Sequence, residues 1–223
     1  MVGASCATSH RRRTDSVTIN HHSNVDHRPF GFGFILLCTL LLAGHRPAVA
    51  EPADYVIDPD HLSVGFWVDH VGYTKVLGMF RKARGSFTFD EASGALSKIK
   101  VVITADSVFT NHRKRDDHLR SADFLNSAEF PEITFTAADA VRQGEKDFVI
   151  HGQLTLLGKT LPVTLNATWN KSGVSPVPPG AYEIGVSAHG SFKRSAYGMN
   201  YAVANGWVGD EVELLLEFQA IRQ

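Results

Sequence analysis

The feature that most constrains this chain is an alternation of apolar and polar residues that recurs in nearly every segment after residue 50. Near the carboxyl terminus the apolar set occupies the even positions Val212, Leu214, Leu216, Phe218 and Ala220. A period of two places alternate side chains on opposite faces of a strand. The chain is therefore predicted to be all-β, with an antiparallel sheet whose inner face is apolar.

The pattern predicts strands at residues 54–57, 63–69, 76–90, 96–106, 131–138, 145–156, 160–169, 181–193 and 211–221. Turns rich in Gly, Asp and Pro separate them, and many short, evenly spaced strands are typical of a sandwich or a barrel. In the third segment the inward parity changes between Phe80 and Ala83. One inserted residue near Arg81 and Lys82 would keep both halves facing inward, which predicts a β-bulge there.

Two segments lack this two-residue alternation. Residues 110–126 are highly charged and predict a helix-plus-loop crossover capped by Thr110 or Asn111. Its buried side is expected to comprise Leu119, Ala122, Phe124 and Leu125. Residues 195–209 are irregular and rich in Gly and aromatic residues. We expect this second segment to lie over an opening of the barrel.

Residues 1–50 have the features of a secretory signal peptide. Arg28 precedes the apolar run at 30–43, and Ala48-Val49-Ala50 offers a small-x-small cleavage site. A retained membrane anchor is the alternative, but the run is shorter than the roughly 20 residues a span requires. The polar lead-in is long, so an internal translation start near Val25 is a further hypothesis. We expect residues 51–223 to form one exported domain in the periplasm.

Composition limits what this domain does. Both cysteines, Cys6 and Cys38, precede residue 51, so the domain has no disulfide, thiol nucleophile or thiolate metal site. Residues 1–50 hold five of the 22 basic and two of the 23 acidic residues, which leaves a net charge of −4. Such a charge argues against nucleic acid or an anionic membrane surface as the main partner. No stretch after residue 50 is apolar enough to span a membrane, and the sequence leaves open whether the protein is a monomer or a homodimer.

The polar residues do not form a recognisable catalytic or metal-binding pattern. The histidines after residue 50 lack the spacing of zinc ligands, so we expect no metal. Asp116 and His118 are the one candidate acid/base pair, but residues this close on a helix point in different directions. We therefore predict no catalytic residue. Basic side chains at the barrel mouth, namely Lys75, Arg115, His118 and Arg194, are the candidates for contacting a ligand headgroup.

The apolar residues indicate the function more clearly than the polar residues do. An eight-stranded barrel is near the size at which side chains fill the interior or one small ligand is held. Glycines interrupt the strands at Gly65, Gly78, Gly85, Gly152, Gly185 and Gly190, which favours a hollow interior. The predicted lining is Phe66, Val68, Phe80, Phe87, Phe89, Ile103, Phe135, Phe148, Leu154, Val163, Ile184, Val186, Leu216 and Phe218.

Ordered matches along the chain resemble the YceI-like family. The most specific stretch is Arg115-Asp116-x-His118-Leu119-x-Ser121-x-Asp123-Phe124, followed by Pro131-x-Ile133-Thr134-Phe135. Further matches include Tyr55-x-Ile57-Asp58-Pro59, Val76-x-Gly78-x-Phe80 and Arg194-Ser195-x-x-Gly198-Met199. Tyr197 stands where Phe is typical of the family, and Ala196 where Asp is common.

The resemblance implies an extended, eight-stranded antiparallel lipocalin-like β-barrel with one α-helix between strands. It also implies a secreted, stress-linked carrier of a long isoprenoid, such as a polyisoprenoid or an isoprenoid quinone, without a further cofactor. The first alternative is an enzyme acting on a lipid or quinone through His118 and Asp116. The second is an interaction module whose core is filled by its own side chains.

Overall fold

The computed structural model describes residues 51–177 and 179–223. The predicted signal peptide lies outside these residues. Strands in the described part are β1 (Ala53–His70), β2 (Thr74–Phe80), β3 (Ala83–Asp90), β4 (Ala95–Thr104), β5 (Val108–Phe109), β6 (Glu132–Asp139), β7 (Val141–Arg142), β8 (Asp147–Leu156), β9 (Lys159–Pro176), β10 (Pro179–Lys193) and β11 (Val208–Arg222). One α-helix, α1 (Arg113–Arg120), follows β5.

Eight of the strands close into a ring. The order β11-β10-β9-β8-β6-β4-β3-β1 returns to β11 because β1 and β11 pair along their length. Val64 lies opposite Leu216 and Phe66 opposite Leu214 in that closing pair, so apolar residues of both strands share the inner face. The prediction of an all-β, eight-stranded antiparallel barrel with one helix between strands is confirmed.

The long first strand has different neighbours in its two halves. Residues 53–56 pair with β3, whereas residues 64–70 pair with β2. On its other edge, β3 pairs with β4, whereas β2 pairs with the short β5. The sheet therefore divides into two branches where β2 ends. A two-residue interruption at Arg81 and Lys82 lies at this division, where both backbone amides donate to Ser107.

The parity change predicted from the sequence is present, because Phe80 and Ala83 both pack against the core. It arises from that two-residue interruption rather than from a single inserted residue. A register shift in the β3–β4 pair instead places an extra residue in β4, close to Lys98, whose φ is 53°.

The N-cap of helix α1 lies two residues after Thr110 and one after Asn111, the two predicted caps. His112 is the N-cap, and its ring accepts a hydrogen bond from the Arg115 amide. Thr110 does not cap the helix, because its amide and hydroxyl both donate to Asp116. Asn111 is left-handed, with φ at 59°. Of the expected buried set, Phe124 and Leu125 are buried in the turns after the helix, Leu119 is half-buried and Ala122 is exposed.

In the described part of the chain, no helix combines the length and apolar character needed to cross a bilayer. The apolar face of the closed sheet points into the barrel, where one continuous core extends from Tyr55 to Ala220. How completely that core fills the barrel decides what the interior can hold.

Candidate functional site

The half of the barrel nearest the β1–β2 turn contains a cavity of about 400 Å³, here called the upper chamber. Its wall comes from β1, β2 and β11, and α1 contributes Leu119. Residues 198–207, here called the cap loop, contribute Met199, Tyr201 and Trp207 at the mouth. This volume lies within the range of pockets that hold small organic ligands. The lining is predominantly apolar.

The opposite half of the barrel is nearly filled. Its remaining gap, here called the lower chamber, measures about 70 Å³. Aromatic rings interlock in this half: Phe89 meets Phe148 edge-on at 5.9 Å between centroids and Trp169 at 5.2 Å. The interior is therefore neither uniformly hollow nor uniformly packed, since one half holds space and the other holds side chains.

The predicted lining residues divide between the two halves. Those around the upper chamber are Phe66, Val68, Phe80, Ile103 and Leu154. Those around the lower chamber are Phe87, Phe89, Phe135, Phe148, Ile184, Val186, Leu216 and Phe218. Val163 is buried in the core but lines neither chamber. The upper set is thus the part of the prediction that faces open space.

The strand glycines do not create this space in the manner expected from the sequence. A Cβ at Gly78 would lie 2.1 Å from Phe66 Cζ, and one at Gly152 would lie 2.1 Å from Phe135 Cζ. The volume released at these two glycines is therefore occupied by neighbouring aromatic rings. Gly65 has no atom closer than 3.7 Å to its Cβ position, so it makes room for no ring.

His118 is placed at the mouth of the upper chamber. Its Nε2 lies 2.8 Å from Asp123 Oδ2, and its ring meets Phe124 and Tyr201 edge-on at 4.9 Å each. The imidazole thus joins the segment after α1 to the cap loop. With a side chain 41% exposed, it is a polar group that an entering ligand would encounter. Its role toward a headgroup stays a prediction.

Asp116 and His118 do not form the acid/base pair considered in the sequence. The buried Asp116 carboxylate accepts hydrogen bonds from the Thr110 amide and hydroxyl, at 2.8 and 2.5 Å. His118 has Asp123 as its partner instead. Arg115 lines the chamber, but its Nε and Nη2 donate to Thr110 at 2.7 and 2.6 Å. These contacts secure the start of α1.

Among the cations of the described residues, Arg194 is the most deeply buried, with 1% of its surface exposed. Its Nε donates to the Gly209 carbonyl at 2.7 Å, and Nη1 to that of Met199 at 2.9 Å. Its Nη2 donates to the carbonyls of Tyr201 and Val208 at 2.9 and 2.8 Å. Burial lowers the pKa of this guanidinium, an effect that the Asp210 charge opposes. The side chain thereby fastens both ends of the cap loop.

Lys75 lies on the outer wall of the barrel. Its amine donates to Glu213, and that hydrogen bond raises the pKa of the amine. The neighbouring Val76 lines the upper chamber, so alternation turns Lys75 to the opposite face. The structure therefore does not group Lys75 with the headgroup candidates at the mouth.

The other end of the barrel carries a polar network around Glu91. Tyr55 Oη donates to Glu91 Oε1 at 2.9 Å, while Ser172 Oγ and Tyr182 Oη donate to Oε2 at 2.6 and 3.0 Å. Burial, reinforced by the Glu91 contact, raises the pKa of Tyr55 well above its ordinary value. These bonds tie β1, β9 and β10 together beneath the lower chamber.

Several upper-chamber residues were missing from the predicted lining. Val64, Val212 and Leu214 share the inward parity of their strands, so the alternation already contained the signal for them. Met199, Tyr201 and Trp207 carry no such signal, because the cap loop is irregular. Their position agrees with the expectation that residues 195–209 lie over an opening.

Together these features define a class: a small closed antiparallel barrel with an apolar chamber that opens at one end. The family model described as the YceI-like domain matches residues 55–220. The chain belongs to the YceI-like family. Protein YceI from Escherichia coli O17:K52:H18 is 41% identical over 176 residues, covering 78% of this chain and 90% of that protein.

Two solved structures share the fold. The YceI protein of Campylobacter jejuni is 26% identical, with a TM-score of 0.61, and the match covers 70% of this chain and 90% of that one. A polyisoprenoid binding domain from Saccharophagus degradans is 15% identical, with a TM-score of 0.54, and the match covers 78% of this chain and all of that one.

Proposed function

We propose that this protein is a non-enzymatic periplasmic carrier that binds the apolar tail of a polyisoprenoid or isoprenoid-quinone-like lipid in the upper chamber. The observation that carries the proposal is the cavity of about 400 Å³, predominantly apolar in its lining and open at one barrel end. Membership of the YceI-like family and the polyisoprenoid binding domain among the structural neighbours support the choice of ligand. The export signal expected in residues 1–50 supports the location.

The energetics favour such a ligand without specific polar contacts. Burying one methylene contributes about 0.8 kcal/mol, so a five-carbon isoprene unit contributes about 4 kcal/mol before the costs of association. Two or three buried units are therefore sufficient for micromolar binding. At about 30 Å³ for each carbon, the volume that one water takes in the liquid, the upper chamber of about 400 Å³ has room for about 13 carbons.

The carbon capacity of the upper chamber can be tested directly. Free isoprenols of 5, 10, 15 and 20 carbons are added to delipidated protein, and their binding is measured by titration calorimetry. We expect affinity to rise steeply up to about 15 carbons and to level off beyond, because further carbons meet the packed lower half. A saturated fatty alcohol of 14 carbons serves as a reference for shape. Failure of all isoprenols to bind would refute the proposal.

A pair of adjacent residues provides the matched variants. Val76 lines the upper chamber, whereas Leu77 is 49% exposed on the outer wall of the same strand. Val76→Trp should fill part of the chamber and weaken binding of the 15-carbon isoprenol at least tenfold. Leu77→Trp should change that affinity less than twofold. Equal effects of the two substitutions would place the binding site outside the upper chamber.

The location is tested separately by sequencing the amino terminus of protein recovered from the periplasm of an exporting bacterium. A mature chain that begins at Glu51 is the expected result. Recovery only from the cytoplasm, with residues 30–50 retained, would contradict the periplasmic part of the proposal while leaving lipid binding intact.

A further inference from the structure

Four exposed side chains on two adjoining loops lie at the open end of the barrel, and this group is here called the rim patch. They are Val71, Tyr73, Tyr201 and Trp207, with exposed fractions of 42%, 91%, 45% and 59%. A single exposed apolar residue is ordinary on a protein surface. A cluster of them needs an explanation, because contiguous apolar patches mark contacts with other molecules.

The rim patch is built from two tied loops. The turn between β1 and β2 supplies Val71 and Tyr73, and the cap loop supplies Tyr201 and Trp207. The Val71 amide donates to the Trp207 carbonyl at 2.9 Å, which joins the loops directly. Val71, Tyr201 and Trp207 also line the upper chamber, so the patch borders its mouth.

Cations flank this end of the barrel. The two-residue β5 pairs with the end of β2 and leads into α1, whose later residues His118 and Leu119 reach the chamber. At the start of α1 the Arg113 side chain is 95% exposed, and Lys114 is also exposed. Arg113 Nε lies 3.8 Å from Asp117 Oδ2, a solvent-exposed pair that phosphate oxygens can compete for. Both cations lie within two residues of Arg115, which lines the chamber.

The residue types of the rim patch are those that proteins place at a membrane surface. Trp and Tyr combine an apolar ring with a polar atom and concentrate at the boundary between lipid headgroups and hydrocarbon. The domain carries no excess positive charge, so its attraction to a membrane has to come from ring insertion, with Arg113 and Lys114 adding a local contribution. A lipid tail that enters at such a boundary never crosses open water.

We infer that the rim patch docks onto the surface of a phospholipid bilayer, with the mouth of the upper chamber facing the membrane while a tail passes between them. The inference rests on the proposed function, because docking matters only if the chamber takes a lipid tail. It assigns Tyr73 and Trp207, which are not part of the packed core, to membrane contact.

The primary test uses the chain's own fluorescence and purified wild-type protein. The three tryptophans are Trp67, Trp169 and Trp207, and only Trp207 belongs to the rim patch. Vesicles containing brominated phosphatidylcholine should quench the part of the emission that comes from Trp207. In Trp207→Phe that quenching should disappear. No quenching of wild-type emission by these vesicles would overturn docking without any need for a variant.

Vesicle co-sedimentation provides the matched comparison. Tyr73→Ser/Trp207→Ser should weaken binding to phosphatidylcholine vesicles at least tenfold. The control Leu77→Ser/Leu215→Ser alters two exposed apolar residues of the outer wall, at 49% and 40%, and should change binding less than twofold. Replacing a fifth of the lipid by phosphatidylglycerol should strengthen wild-type binding a few-fold, and Arg113→Glu/Lys114→Glu should remove that gain.

The outcomes separate this inference from the proposed function. Binding of a 15-carbon isoprenol from detergent, together with no binding to vesicles, would overturn docking and leave the carrier function standing. Loss of isoprenol binding in the wild type would refute the carrier function itself. An equal effect of the wall and rim substitutions on sedimentation would also overturn docking, because the contact would then not be localised to the mouth.

Discussion

The ring of Phe66 lies over Gly78, its direct partner across the β1–β2 pair, so that a Cβ at residue 78 would sit 2.1 Å from Phe66 Cζ. The Phe135 ring of β6 likewise covers Gly152 of β8, although the direct cross-strand partner of Phe135 is Leu154. An aromatic ring that covers a glycine of a neighbouring strand is a known way to pin register in a sheet. Here the two pairs also fix where rings project into the barrel.

Gly78→Ala should therefore destabilise the protein by about 1–3 kcal/mol, because the added methyl forces the Phe66 ring out of its position. Gly65→Ala is the control, since its nearest neighbours lie 3.7 Å or more from the Cβ position. We expect that substitution to change the free energy of unfolding by less than about 0.5 kcal/mol. Urea unfolding measures both, and similar midpoints for the two variants would contradict the packing argument.

Arg194→Lys should loosen the cap loop. A lysine amine cannot reproduce the fork of four hydrogen bonds to the carbonyls of Met199, Tyr201, Val208 and Gly209. We expect a loss of about 3 kcal/mol in the free energy of unfolding, since several buried bonds to a charged group are lost. Hydrogen exchange of the amides in residues 199–208 should accelerate at least tenfold.

The neighbouring Lys193→Ala is the control for that experiment, because Lys193 is exposed. It should leave exchange in residues 199–208 unchanged. If Arg194→Lys protects these amides as well as arginine does, the guanidinium is not what fastens the cap loop.

Tyr197→Phe should leave stability unchanged or raise it by up to about 1 kcal/mol, because removing an unsatisfied buried hydroxyl relieves its desolvation cost. Tyr197 is 3% exposed and its hydroxyl has no hydrogen-bond partner. Tyr55→Phe is the matched comparison, since the equally buried Tyr55 donates to Glu91 at 2.9 Å. That change should cost about 1.5–3 kcal/mol, as for a hydrogen bond to a charged group. Opposite thermal shifts of the two variants are the expected result.

Acid should weaken the anchoring of the segment before the cap loop through Asp210. Burial alone would raise the pKa of this carboxyl, but hydrogen bonds from Ser195 and the charge of Arg194 bring it below the ordinary value of 3.8. Its stabilising contribution is therefore complete above about pH 4 and is lost as the pH falls through the lowered value. The Tm of the wild type should fall more between pH 5 and pH 2.5 than that of Asp210→Asn. Parallel decreases would show that Asp210 does not contribute.

Much of the fold could be predicted because alternation is a local property of each strand. The inward parity of Phe66 and Val68 in β1, and of Leu216 and Phe218 in β11, required only that one face be apolar. The same rule, applied to β2, turns Lys75 outward when Val76 faces in. The alternation in β2 therefore already separates Lys75 from the residues at the mouth.

Pairings between distant segments could not be predicted in this way. Asp116 is close to His118 in sequence, but Thr110 binds the carboxylate and Asp123 binds the imidazole. Which partner each group finds depends on how the chain turns after β5 and after α1. The cap loop residues Tyr201 and Trp207 are likewise held at the mouth by distant partners, since Arg194 binds the Tyr201 carbonyl and the Val71 amide binds the Trp207 carbonyl.

By itself, the sequence determined that this chain forms antiparallel strands with one apolar face, because a two-residue period assigns each side chain to a face whatever the rest of the chain does. Only the tertiary structure decided that this interior is divided into an open upper chamber of about 400 Å³ and a filled lower half. The reason is physical: alternation specifies which side chains point inward, whereas the space left among them depends on how rings from facing strands cross the barrel.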